Sequence, residues 1–157
     1  MPAASEAGAK VSRARTLLVG ANDVLLDGIA DWLAQEPHFE IVGRAHTGSR
    51  ALDEIETLRA ELVLMDVTLP DMSGFEVARR IKAPAEAPLV VLLSFHDSQA
   101  ARLEARAAGA DGFVVKSGIT ECLTPLVGDL LRRRDLGVRE RSSVVPFKRV
   151  PSTDCVK

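Results

Sequence analysis

Tyrosine is absent from the 157 residues, tryptophan occurs once, and aromatics make up only 4% of the chain. Any core must therefore be built from Leu, Val, Ile and Ala, which dominate a hydrophobic content of 46%. That composition suits an α/β protein of one ordinary-sized domain with possible tails. No apolar run approaches the roughly 20 residues that a membrane-spanning helix needs, and MPAASEAGAK at the start has no apolar stretch that would act as a signal peptide. A cytoplasmic protein without membrane contact is expected. Cysteine is scarce: Cys122 and Cys155 stand far apart without ligand residues beside them, which excludes a local metal motif and a disulfide framework and leaves free thiols as the default. Excess charge of one sign is also missing overall, since the net is −2, but the balance is uneven. From Arg132 onward eight Lys or Arg face three Asp or Glu, so a basic tail follows an acidic globular part.

What the chain does contain is a regular alternation of short apolar runs with helical spacing. Thr16–Val19, the short Glu40–Arg44, Leu62–Asp66, Leu89–Leu93 and Gly112–Val115 read as strands, with Leu62–Asp66 and Leu89–Leu93 apolar enough to be buried within the sheet. Between them the apolar residues recur at helical spacing, as in Val24, Leu25, Ile29, Trp32 and Leu33 before Pro37, or Ala51, Leu52, Ile55 and Leu58 after a cap at Thr47 or Ser49. A third helix continues through Phe75, Val77, Ala78 and Ile81, and a fourth covers Ser98 to Ala108 with Gly109 placed to end it. Five strands alternating with helices predict a flavodoxin-like, doubly wound five-stranded parallel sheet. The natural strand order is 2-1-3-4-5.

Leu123, Leu126, Val127, Leu130 and Leu131 give the last helix its stripe, but Pro125 lies among them. Proline costs about 3 kcal/mol in a helix interior and is tolerated at the first helical position. A helix starting late at Thr124, or a bent one, is expected. Residues 1–14 read as a disordered leader, 15–134 as the domain, and 135–157 as a flexible basic tail.

The chemistry concentrates where strands end. LVLMDVTLPDMSG, residues 62–74, carries Asp66 at the carboxyl edge of strand three, where open α/β sheets bind ligands. Asp66, Pro70, Met72 and Gly74 fall at the spacings of the phosphoacceptor segment in response-regulator receiver domains. LVVLLS ends strand four in Ser94, and GADGFVVKS ends strand five in Lys116, three residues after Phe113. The chain thus resembles the CheY-like receivers of two-component signalling, and most closely those of nitrate- and nodulation-type regulators. That resemblance covers residues 15 to 131. It implies a single-domain response regulator in a phosphorelay, a signalling module and not an enzyme. Asp66 would be the phosphoacceptor, Lys116 and Ser94 its catalytic partners, and Ser94 and Phe113 the switch. It also implies a sensor histidine kinase or phosphotransfer protein upstream, and a downstream protein reading the face of helix four, strand five and helix five.

One family feature fails. Receivers carry two adjacent acids after strand one, and LLVGANDVLLDG puts Gly20 and Ala21 there. Asn22 and Asp23 come one or two positions late, where Asp23 is expected to cap the first helix. Magnesium would be left with Asp66 and the backbone carbonyl of Thr68, and should bind weakly or not at all. A phosphorylation-independent pseudo-receiver is the alternative reading, and nucleic-acid binding through the basic tail is an alternative of another class. A dehalogenase-like phosphatase would need a second acid at position 68, which is Thr68, and GAND after strand one offers little to a nucleotide.

Overall fold

The computed structural model describes residues 13–37 and 39–135. The leader before them, the tail after them and Cys155 lie outside the described residues, as do the expectations that fall on them.

Five parallel strands, β1 (Ala14–Val19), β2 (Phe39–Ala45), β3 (Leu62–Asp66), β4 (Leu89–Ser94) and β5 (Gly112–Val115), form one sheet in the order β2-β1-β3-β4-β5. This is the predicted 2-1-3-4-5 arrangement. Alternation along each strand sorts the side chains by face. Leu17, Val19, Val63, Met65, Val90, Leu92, Phe113 and Val115 pack on one side with α2 (Gly48–Leu58), α3 (Gly74–Lys82) and α4 (Gln99–Ala107). Leu18, Leu62, Leu64, Val91, Leu93 and Val114 pack on the other with α1 (Asp23–Leu33) and α5 (Ile119–Asp135). Each central strand is therefore apolar at consecutive positions, because both of its faces are covered. At roughly 1.5–3 kcal/mol for each fully buried Leu or Val, this double burial is the main force assembling the chain.

Most boundaries agree with the sequence, and the departures have causes. β1 starts at Ala14, inside the expected leader, because Ala14 pairs with Phe39 and is buried. Thr47 and not Ser49 caps α2, its hydroxyl accepting from the Arg50 amide at 3.1 Å. Gly109 ends α4 as expected, at φ +87°, where a side chain would be strained.

Of the two expectations for the last helix, the late start at Thr124 is wrong. Lys116–Gly118 makes a 3-10 turn that leads directly into α5, and Pro125 stands inside the helix. Pro125 is exposed, whereas Cys122, Leu123, Val127 and Leu130 are buried. Burial of that stripe outweighs the one helical hydrogen bond that proline removes. The free-thiol expectation also fails for Cys122, which is buried and is not a free cysteine. Among the described residues no helix is long and apolar enough to cross a membrane.

Two glycines test the packing in opposite directions. A Cβ on Gly74 would stand 2.4 Å from the Asp66 carbonyl oxygen and 2.7 Å from Val67 Cα, so α3 can approach the end of β3 only without a side chain there. A Cβ on Gly28, within α1, would meet nothing within 4 Å. We predict that Gly74→Ala lowers stability by about 1–3 kcal/mol through forced backbone movement, while Gly28→Ala raises it by up to about 1 kcal/mol through helix propensity. Urea denaturation of both variants checks this; equal effects would contradict the packing described.

Candidate functional site

The parallel register sets neighbouring strand ends side by side. Asp66 pairs with Leu93 across β3 and β4, and Ser94 pairs with Val115 across β4 and β5. Asp66, Ser94 and Lys116 therefore emerge at one edge, as the sequence predicted. Lys116 Nζ donates to Asp66 Oδ2 at 2.8 Å, and the two side chains are only 5% and 15% exposed. The other carboxylate oxygen, Oδ1, accepts from the Thr68 amide at 3.2 Å. A buried ammonium needs a partner in this setting, and Asp66 supplies the charge.

Ser94 does not join that pair. Its hydroxyl donates to the His96 carbonyl at 2.9 Å and accepts from the His96 amide at 3.1 Å, closing a tight turn after β4. At the tip of that turn Phe95 lays its ring over Lys116, with the ammonium 4.0 Å from the ring centroid. Sequence reading missed this contact, although an aromatic directly after the strand-four hydroxyl was available as a signal. Phe113 is buried among the side chains of the α4 side, with the Arg102 guanidinium 5.3 Å from its ring centroid.

The gap after β1 is real. A Cβ placed on Gly20 would lie 3.8 Å from Asp66 Cβ, so that position faces Asp66 and offers it no carboxylate. Ala21 next to it is exposed and equally without charge. Asp23 is not the cap it was expected to be: the Asn22 carbonyl oxygen Oδ1 accepts from the Leu25 amide at 3.0 Å. An Asx side chain caps from the last non-helical residue, and the helix begins one residue later than Asn22. Asp23 instead pairs with His46, and Asp97 with Arg102 at 2.7 Å. Among the described residues no group of three His, Cys, Asp or Glu comes together. The residues present do not fit a magnesium site, which draws on clustered carboxylate oxygens.

The loop from Asp66 to Gly74 is held firmly. The Gly74 amide donates to the Val67 carbonyl at 2.8 Å, and Ser73 caps α3 by accepting from the Glu76 amide. Asp71 reaches across to α2, where its two oxygens accept from the Gly48 and Ser49 amides at 2.7 and 3.0 Å. With Thr47 serving Arg50, the amides of the first turn of α2 are satisfied. A Cβ on Gly48 would strike Met72 Cγ at 2.7 Å, which explains why a small residue opens α2.

Residues 16–127 match the response regulator receiver domain family. The chain belongs to that family. The receiver is 32% identical over 135 residues to a protein-glutamate methylesterase/protein-glutamine glutaminase of Nocardioides sp., covering 78% of this chain and 37% of that protein. It is 31% identical over 102 residues to the DNA-binding transcriptional activator DevR/DosR of Mycobacterium tuberculosis, covering 65% and 47%. Thus the chain spans less than half the length of these curated relatives. Among solved structures it resembles a LuxR-family two-component response regulator from Aurantimonas sp. (28% identity, TM-score 0.72, 77% of this chain and 86% of that one). It also resembles the signal receiver domain of a NarL response regulator from Mycobacterium tuberculosis (26% identity, TM-score 0.68, 77% and 95%). Receiver domains act in two-component signalling with histidine kinases or phosphotransfer partners and typically bind magnesium.

Two predictions follow the geometry. Removing the charge of Asp66 leaves the Lys116 ammonium buried without its counter-ion, so Asp66→Asn should cost about 2–3 kcal/mol near neutral pH. Lys116→Met in the same background should add little, and a strictly additive double-mutant cycle would disprove direct coupling. For Asp71, hydrogen bonds from the Gly48 and Ser49 amides hold the carboxyl below its ordinary value. A lowered folded value adds stability above the ordinary carboxylate range that is lost as pH falls through the lowered one. Asp71→Asn should therefore be destabilising at neutral pH, and its deficit should shrink in acid. A deficit independent of pH in thermal melts would overturn this.

Proposed function

We propose that this chain is a response regulator in which Asp66 accepts a phosphoryl group slowly and without reliance on magnesium, and which acts on a downstream protein by contact. The observation that carries the reading is the closed Asp66–Lys116 pair facing Gly20 where a carboxylate would otherwise stand. In the transfer, an Asp66 oxygen attacks phosphorus and forms an O–P bond as the P–N bond to a donor phosphohistidine breaks; the imidazole leaves and takes a proton. Lys116 is placed to neutralise the transferring oxygens, but it must first turn from the carboxylate toward them. Ser94 would have to release His96 to take part. Both requirements raise the barrier.

In this reading the donor is a sensor histidine kinase or phosphotransfer protein, and Ser94 and Phe113 carry the response to the face of α4, β5 and α5. Leu103, exposed on α4, supports a protein contact on that face. The relatives' names include both an esterase and a DNA-binding activator. Receiver signalling is common to the family, so we assign this chain no catalytic output of its own, and cytoplasmic action. The pseudo-receiver remains a second reading, favoured by the fact that Asp66, Lys116 and Ser94 all have internal partners.

Intact mass spectrometry during incubation with acetyl phosphate tests the reading. Slow uptake is expected, unchanged by millimolar magnesium and abolished in Asp66→Asn. Rapid magnesium-dependent uptake would refute the degenerate site, and no uptake at all from acetyl phosphate or a phosphorylated kinase would favour the pseudo-receiver. The double substitution Gly20→Asp, Ala21→Asp should introduce magnesium dependence. The aspartate at 20 needs only a small shift of the Leu26 side chain, whose Cδ2 would lie 3.2 Å from the new Cβ.

A further inference from the structure

An exposed phenylalanine is ordinary in itself. Phe95 is 69% exposed, so burial of its ring does not account for its position. What distinguishes it is the pair of contacts that fixes it. The Ser94 hydroxyl bridges both the amide and the carbonyl of His96, which locks the three-residue turn. That turn presents the ring face to the Lys116 ammonium at 4.0 Å, well inside the range in which a cation is attracted to an aromatic face. Lys116 is thus held from two directions, by the Asp66 carboxylate and by the ring.

We propose that Phe95 is a positioning residue that latches Lys116 onto Asp66 and brakes phosphoryl uptake, with Ser94 as the catch that holds the latch shut. The proposal deepens the reading of Asp66 as a slow phosphoacceptor and rests on it for the rate effect. Lys116 must leave the carboxylate to meet incoming phosphoryl oxygens, and each contact that holds it back raises that barrier. Ser94 cannot turn toward a phosphoryl group while bonded twice to His96. Once it turns, the turn carrying Phe95 loses its tie, so recruiting the hydroxyl and freeing the lysine are one event. Only an aromatic can supply the electrostatic part of this hold. Leucine at 95 would keep an apolar cover without the attraction, whereas tryptophan would keep both.

The test uses the full chain carrying Phe95→Ala, Phe95→Leu, Phe95→Trp or Ser94→Ala. Lysines are trace-labelled with acetic anhydride and Lys116 is compared by peptide mass spectrometry with Lys82, which is tied to Asp111 and the Pro88 carbonyl away from the site. Loss of the cation–π contact from the exposed Phe95 ring should raise Lys116 labelling relative to Lys82 by about two- to five-fold in the Ala and Leu variants. The Trp variant should stay at the native level, and Ser94→Ala should follow Phe95→Ala. Uptake from acetyl phosphate should rise in the Phe95→Ala and Phe95→Leu variants alone. General loosening of the fold would raise Lys82 as well and count against the proposal, as would native labelling in Phe95→Ala or in Phe95→Leu. Faster Lys116 labelling with slower uptake would overturn the braking role. If native and variant chains alike take up no phosphoryl group, the phosphoacceptor reading falls, and the labelling pattern alone decides the latch.

Discussion

The ion pair between Asp66 and Lys116 joins the ends of two strands that are not neighbours, across the end of a third. It forms because parallel strands deliver their last residues to a common edge, and it persists because both side chains are largely removed from water. Taking two charges out of water costs several kcal/mol per ion, which only good geometry and further hydrogen bonds offset. The Thr68 amide on Asp66 and the Phe95 ring on Lys116 provide that extra support. Adding a third charge without a metal would upset the balance. The absence of acids at Gly20 and Ala21 and the closure of the pair are thus two aspects of one electrostatic arrangement.

The loop that follows Asp66 shows how the rigidity of this edge arises. Gly74 lets α3 start against the β3 backbone, Met72 fills the space above Gly48, and Asp71 ties the loop to the first turn of α2. Each contact joins a residue of the loop to an element formed elsewhere in the chain. A carboxylate at a helix N-terminus meets both unsatisfied amides and the positive end of the helix dipole. The spacing that marks the family in sequence therefore has a mechanical origin in a loop tied to α2 and to the β3 backbone beside Asp66.

The fold was legible because its cause is repetitive. Continuous apolar strands such as Leu62–Asp66 and Leu89–Ser94 can be satisfied only by helices on both faces, and the alternation of elements dictates right-handed crossovers. The strand-end residues Asp66, Ser94 and Lys116 were legible for the same reason, since period and position bring them to one edge. Local rules were weaker where a longer-range contact competed with them. Pro125 did not delay α5, because burial of Leu123 and Val127 decides where that helix runs. Asp23 did not cap α1, because Asn22 already did and His46 was within its reach. Neither the direction of the Ser94 hydroxyl nor the seat of Phe95 could be read from spacing, since both depend on the path of the chain over two residues after β4.

A ligand or modification shifts a conformational equilibrium only by its difference in interaction with the two states. The lysine and the hydroxyl are already satisfied in this structure, so a phosphoryl group on Asp66 would gain only the difference between new contacts and those it displaced. A partner that engaged the exposed ring of Phe95 would draw on the same difference, because lifting the ring removes one of the two holds on Lys116. Phosphorylation and protein contact would then act on the same turn at Ser94–His96, and each would make the other easier by the same factor in equilibrium affinity. A site closed by its own residues is compatible with signalling on that condition, that the same turn responds to chemistry on one side and to a protein surface on the other.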